Sequence, residues 1–170
     1  RVNSLDRFIK DITDYSRNNR LEIRKEPVNI AALAWEVWEN LKYSPEAENI
    51  QFLVEIPEDL GIVTDKSRLQ VVITNLLSNA VRYHDSRKKE QYIRLQYQEN
   101  GGVFSIKVED NGQGIAKEYH TRIFEMFYRA NEMSKGSGLG LYIVKEALMK
   151  SSGSIQLDST PGIGTIITVK

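Results

Sequence analysis

Asn75 and Asn79 lie one helical turn apart in the run SRLQVVITNLLSNAVRY, which has the apolar spacing of a long helix. Asparagine is a mediocre helix residue, because its amide competes for backbone hydrogen bonds. Two of them mid-helix carry a cost that Glu or Lys on a solvated face would avoid. Amide oxygens are neutral hard ligands, suited to Mg²⁺, which keeps several waters and binds substrate phosphates. Arg68 and Arg82 extend the same side of the helix at seven- and three-residue steps, and Arg82 could reach the same phosphates. The competing reading is a polar helix face that simply meets water.

Two further groups could serve such a ligand. In VEDNGQGI, Asp110 stands at a strand end, and Gly112 and Gly114 turn the chain away after it. A carboxylate placed there can accept a hydrogen bond from an exocyclic amine such as that of adenine, although an ordinary Asp-Asn-Gly turn looks the same. In GSGLGL, Gly136, Gly138 and Gly140 open an apolar helical pattern, with Leu139 between them. Unpaired N–H groups at a helix start attract anions, and glycines let a phosphate approach the backbone. The spacing is neither GxxxxGK[ST] nor GxGxxG, so P-loop and dinucleotide readings fail. Between these turns, RIFEMFYRANEMSK reads as a loop that could close as a lid, with Arg129 or Lys135 meeting phosphate. The plainer reading puts Phe124 and Phe127 in the core.

Positioning these groups requires a scaffold, and the chain supplies one. Asn29 reads as the cap of a helix from Ile30 to Leu41, and Asp65 as the cap of the long helix from Ser67 to Tyr83. On that helix Leu69, Ile73, Leu76, Leu77, Ala80 and Tyr83 form the core face. IQFLVEIP alternates like a strand, GIVTD reads as a short one, and Asn100-Gly101-Gly102 joins two more as a hairpin. A helix over 139–150 ends at Gly153, and TPGIG closes a final hairpin. Residues 18–29, with Asn18, Asn19 and Pro27, read as a break in the pattern. The expectation is an α+β two-layer sandwich: a mixed, mostly antiparallel sheet with helices on one face.

Composition narrows the function classes. Lys plus Arg (23) equals Asp plus Glu (23), so no overall field favours nucleic acid or an anionic membrane. The absence of cysteine excludes disulfides, thiolate metal sites and cysteine nucleophiles. No apolar run is long enough to span a bilayer. Leu5, Phe8, Ile12 and Tyr15 follow coiled-coil spacing, and the chain starts at Arg1 inside that pattern. It therefore reads as a piece of a longer protein, with residues 1–20 the end of a separate helical element and 21–170 one domain.

No single motif decides, but their order does. The N box of sensor histidine kinases resembles NLLSNAVRY, and the family's first glycine box, F box, second glycine box and last glycine box resemble DNGQGI, IFEMFYRA, GSGLGL and TPGIGT. The chain over residues 22–170 thus resembles the ATP-binding catalytic domain of that family. The wider superfamily, the GHKL or Bergerat-fold ATPases, includes type II topoisomerases, ninety-kilodalton heat-shock chaperones and mismatch-repair ATPases.

The resemblance implies the Bergerat fold, with residues 1–20 coming from the second helix of a dimerisation hairpin. It implies ATP and Mg²⁺ as ligands. Asn79 would hold the metal with Asn75 beside it, and Arg82, where the family often has Lys, would face phosphate. Tyr83 would line the adenine or ribose side, Asp110 would bind the adenine amine, and Thr165 would floor the adenine pocket. Gly112, Gly114, Gly136, Gly138, Leu139 and Gly140 would shape the turns, with Arg129 and Lys135 on the lid. The lid is short, with six residues between Arg129 and Gly136.

Implied partners are the protein's own phosphoacceptor domain and a response-regulator receiver domain, in a homodimeric parent. No nucleic acid and no membrane contact by this segment are implied. The domain would be cytoplasmic, including in a membrane-bound sensor. Neither His84 nor His120 fits the phosphoacceptor pattern, so phosphotransfer would need a histidine elsewhere. Two alternatives stand beside this reading: a nucleotide-binding regulatory or degenerate module without transfer, and a mechanical ATPase.

Overall fold

The computed structural model describes residues 12–13, 22–130 and 136–170. The expected seam helix and the boundary near residue 20 lie outside these, apart from Ile12 and Thr13, which are helical.

Among the described residues, the α-helices over 30–41, 66–82 and 140–150 cover one face of a five-stranded sheet. Helix α1 (Ile30–Leu41) starts where Asn29 Oδ1 accepts from the Ala32 N–H at 2.7 Å. Helix α2 (Lys66–Arg82) starts where Asp65 Oδ1 accepts from the Arg68 N–H at 3.0 Å. Both are side-chain N-caps of the kind that satisfy an otherwise orphaned donor. Helix α3 (Gly140–Lys150) has no such side-chain cap. It stops where the Gly153 N–H returns to Leu148 O at 2.8 Å.

The strands are β1 (Glu26–Asn29), β2 (Ile50–Glu55), β3 (Gly61–Thr64), β4 (Gln91–Asn100), β5 (Val103–Asp110), β6 (Ile155–Thr160) and β7 (Gly164–Val169). The main sheet runs β2-β4-β5-β7-β6. Only the β2–β4 pair is parallel, as its crossover through β3 and α2 requires. The α+β sandwich with a mixed, mostly antiparallel sheet is therefore the observed fold.

The helix-facing side is apolar: Ile93, Leu95, Ile106, Val108, Ile167 and Val169 meet Ile73, Leu76 and Leu77 of α2 and Val144 of α3. Each such buried side chain contributes about 1.5–3 kcal/mol. The opposite face is charged. Arg94 lies 3.0 Å from Glu55 and 3.5 Å from Glu109, and Lys107 lies 3.2 Å from Glu109.

Three expectations need correction. Residues 26–29 are a strand, antiparallel to β3, with Val28 opposite Ile62 and both buried. Pro27 hid it, but a proline is tolerated in so small an edge pair because no further strand needs its N–H. Tyr83 leaves the core face and is 38% exposed, because the helix ends at Arg82. Arg68 is buried rather than part of an open polar stripe.

Asp65 also accepts the Arg24 N–H at 3.1 Å through its second oxygen, so it ties the segment before β1 to the start of α2. Asp65→Ala should lower the unfolding free energy by about 1–3 kcal/mol, because two backbone donors lose a buried acceptor. Asn29→Ala, at an exposed cap, should cost about 1 kcal/mol. Equilibrium urea unfolding of both variants measures the difference.

Candidate functional site

The polar side of α2 faces the glycine-rich start of α3. Asn75 solves its mid-helix problem by donating Nδ2 to Val71 O, one turn back, at 2.8 Å. Its Oδ1 then points at α3, where it would lie 3.0 Å from a Cβ on Gly140. The Asn79 amide is 3.5 Å from that same point. Any side chain at Gly140 would press on both amides. Arg82 follows: its Nη1 donates to Asn79 Oδ1 at a long 3.5 Å and lies 2.9 Å from where a Gly136 Cβ would be. The Tyr83 hydroxyl lies 3.6 Å from that position. Asn75, Asn79, Arg82, Tyr83, Gly136 and Gly140 thus converge.

The helix start adds to this wall. Leu139 flanks α3 with no side-chain capping bond, and the Ile143 N–H is bonded to Leu139 O at 2.8 Å. The first-turn N–H groups therefore precede the helix's own hydrogen-bond ladder, beside two amide oxygens and a guanidinium. Leu139 is buried at 3% exposure and its N–H is bonded to Ser137 Oγ at 3.2 Å, so it anchors the turn.

The lid-side segment closes onto the same turn. Phe127 has φ 64° and its N–H bonds to Gly138 O at 3.0 Å. Gly138 has φ +73°, and a Cβ there would come 2.6 Å from the Phe127 carbonyl carbon, so only glycine allows this crossing. Phe127 is consequently 55% exposed, whereas Phe124 is half-buried; the core reading holds for neither fully. Arg129 Nη1 reaches Gly136 O at 3.3 Å. Lys135 lies outside the described residues.

A second cluster forms where β5, β6 and β7 end. Asp110 pairs in register with Thr165, and Thr165 with Ser159. Ser159 Oγ accepts the Ile115 N–H at 2.8 Å, donates to Gly164 O at 3.0 Å, and lies 2.9 Å from Thr165 Oγ1. The turn after Asp110 packs directly beneath the end of α2. A Cβ on Gly112 would collide with Tyr83 O, and the Gln113 N–H bonds that same oxygen at 2.9 Å. Gly114 lies against the Thr160 carbonyl. The Asp110 cluster and the Asn75–Asn79–Arg82 stripe therefore meet at the end of α2.

Burial pushes the Asp110 carboxyl up to about 6 from 3.8, against the opposing pull of the Gly112 and Thr165 backbone N–H groups. The Gly112 N–H bond to Oδ1 is 2.8 Å. A half-buried carboxylate with unused acceptor capacity favours a ligand that donates hydrogen bonds.

The sequence and the fold match known proteins. The sequence pattern of the histidine kinase-, DNA gyrase B-, and HSP90-like ATPases covers residues 64–170. The chain belongs to this ATPase family. Within it, the domain is of the ATP-binding catalytic type carried by histidine kinases. It is 30% identical over 98% of its length to sensor histidine kinase AtsR of Burkholderia thailandensis, and 30% identical over 97% to YvrG of Bacillus subtilis. It spans only 29% of each of those relatives.

Among solved structures, the mycobacterial sensor histidine kinase MprB aligns at a TM-score of 0.71 and 26% identity, over 86% of this chain and 95% of that one. Full-length ShkA in complex with AMPPNP aligns at 0.77 and 26%, over 95% of this chain and 34% of that one. No described helix of this ATPase domain is long and apolar enough to cross a membrane.

Sequence reasoning missed Ser159 and Gln113, which bind the cluster together. Neither carries a local signal, since a serine in a strand and a glutamine in a turn are unremarkable until β6 and α2 meet them.

The Asp110 shift has two consequences with definite signs. In the apo domain the unfolded carboxyl ionises near 3.8 and the folded one near 6, so stability is lost as pH rises through that window and stays lost above it. Asp110→Asn should therefore be more resistant to urea at pH 7.5, by on the order of 1–3 kcal/mol, with the difference closing toward acid pH. Nucleotide affinity should behave oppositely. An amine donor favours the carboxylate, so binding by calorimetry should tighten as pH rises through about 6, and Asp110→Asn should lack that inflection.

Proposed function

We propose that this domain binds Mg·ATP and delivers the γ-phosphoryl group to a histidine on a dimerisation hairpin, for relay to an aspartate of a response-regulator receiver domain. The observation that carries this reading is the meeting of the Asn75–Asn79–Arg82 stripe with the start of α3, joined through Tyr83 to the half-buried Asp110 turn. Phosphate and base subsites then lie on either side of one helix end. The ShkA neighbour, solved with AMPPNP, is consistent with this assignment.

The donor set suits magnesium. Asn75 Oδ1 is left available by the Nδ2 bond to Val71, and the 3.5 Å contact of Arg82 on Asn79 Oδ1 is long enough to yield to a cation. Asn79 would be the metal ligand with Asn75 beside it, an oxygen-only set of the kind Mg²⁺ prefers. When bound, the ion would neutralise phosphate charge during transfer.

The chain's own residues do the rest. Asp110 accepts the adenine amine and Thr165 floors that pocket beside it. Arg82 and Arg129 approach the phosphates from α2 and from the lid, with Lys135 on the same lid. The Gly136–Gly140 backbone lets the phosphates come close, and Tyr83 borders the path between the subsites. Phosphoryl transfer is mainly positioning and charge stabilisation, and this site supplies the charge stabilisation. An imidazole nitrogen of the incoming histidine forms the new P–N bond as ADP leaves.

The acceptor is neither histidine of this chain. Neither stands in the phosphoacceptor pattern; each ring is hydrogen-bonded to a carbonyl at one nitrogen, His84 Nδ1 to Val81 O at 2.7 Å and His120 Nε2 to Ile115 O at 2.9 Å. With γ-labelled ATP the domain should stay unlabelled and show near-zero steady hydrolysis. Stable label on His84 or His120, or sustained turnover, would overturn the reading. In calorimetry, Asn79→Ala should abolish the Mg²⁺ dependence of ATP binding, and Asp110→Ala should weaken binding at least tenfold with or without the metal. Unchanged affinity in both would refute the site assignment.

A further inference from the structure

Between α2 and β4 runs a polar loop, HDSRKKEQ, to which no role has been assigned. Its shape is set locally. Asp85 is buried and gripped by Arg87, which donates Nε and Nη2 to the two carboxylate oxygens at 2.8 Å each and its own N–H at 3.1 Å. That pairing holds the Asp85 carboxyl down at about 2, so the grip persists through the physiological range. The Lys88 N–H then closes the turn onto Asp85 O at 3.0 Å.

The turn directs the Lys88 side chain across the base pocket's outer edge. Its ammonium donates to Ile163 O, at the tip of the β6–β7 hairpin, at 2.8 Å. It also reaches Gly112 O at 3.4 Å. The three segments are also joined by neutral bonds: the Gly162 N–H to Gln113 O (2.7 Å), Gln113 Nε2 to His84 O (3.0 Å) and Asn111 Nδ2 to Glu90 O (2.8 Å). Lys88 adds a positive charge to that seam.

We propose that Lys88 is a positioning residue of the nucleotide site: its ammonium clamps the Gly112 turn to the Ile163 hairpin tip and so holds the Asp110 carboxylate in register for the base. The inference rests on the reading of Asp110 as the base acceptor.

The clamp and the carboxylate are linked in two ways. Mechanically, Gly112 carries both contacts, with its N–H on Asp110 Oδ1 and its carbonyl toward Lys88. Electrostatically, Lys88 favours the ionised form of Asp110, while neighbouring Glu109 opposes it. Tyr92 on β4 and Asp158 on β6 line the same pocket, and the Tyr92 hydroxyl is committed to Glu109 at 3.0 Å. On the α2 side, Arg82 is turned to Gly136 and the His84 ring to Val81 O. A lysine that only stapled a hairpin would affect stability and affinity equally at every pH. A lysine acting on Asp110 must also move the pH at which binding tightens.

The test is ATP affinity by calorimetry from pH 5.5 to 8.5 for wild type, Lys88→Met, Lys88→Arg and Asp110→Asn, with urea unfolding of each. Lys88→Met should weaken binding roughly five- to tenfold near pH 6, with a smaller loss at pH 8.5, so the inflection moves to higher pH. Lys88→Arg keeps the charge and should restore the wild-type inflection. If Asp110→Asn loses affinity but Lys88→Met stays within twofold of wild type at every pH, the role assigned to Lys88 is wrong. A uniform loss with an unmoved inflection, accompanied by lower stability, also overturns it and leaves a simple staple. If Asp110→Asn binds like wild type, it is the base-acceptor reading that fails.

Discussion

The site depends on how α2 is seated. One helix must present Ile73, Leu76 and Leu77 to the sheet and, turned away from them, Asn75, Asn79 and Arg82 to the start of α3. Hydrophobic burial fixes its rotation, because turning it would expose several fully buried side chains, each worth about 1.5–3 kcal/mol. That outweighs the modest helix-propensity cost of two asparagines. The energy that folds the domain is thus the energy that aims the amides. The glycines at 136, 138 and 140 are the complement of that aim, since any larger residue at 138 or 140 would push the lid or the amides away.

The last turn of α2 carries a second responsibility. The Tyr83 carbonyl is the point against which the Asp110 turn is built, through the Gln113 N–H and the close passage of Gly112. A shift of α2 would therefore displace base and phosphate subsites together. On the proposed reading, this coupling lets a domain of modest size hold two chemically different ends of one ligand. It also explains the unfavourable setting of Asp110. A carboxyl raised to about 6 by burial is a local loss for the empty domain, and a donor ligand reverses part of it. Stability and binding pull in opposite directions at that one residue.

Much of this was legible in one dimension. Periodicity located the three helices within a residue or so, because strong apolar spacing and the caps Asn29 and Asp65 are local features. The hairpin at Gly101-Gly102 and the one around Gly162 were legible for the same reason. Strand β1 was not, since four residues containing a proline pair only with a strand far along the chain. Phe124 and Phe127 were equally opaque, because the lid path is decided by the Gly138 crossing rather than by hydrophobicity.

The sequence by itself determined the order of the three helices and of the strands other than β1, the family, and the choice of Asn75, Asn79, Asp110 and the glycines as candidates, because residue type and local spacing encode caps, turns and motif chemistry. Only the tertiary structure decided which of these groups meet. That Tyr83 borders Gly136, that Ser159 binds the Ile115 N–H, and that Lys88 spans from Ile163 to Gly112 all follow from long-range packing of strands and helix ends. Such contacts join residues tens of positions apart, and no local propensity encodes them. They arise when the burial of one apolar face brings polar loops together at its edge.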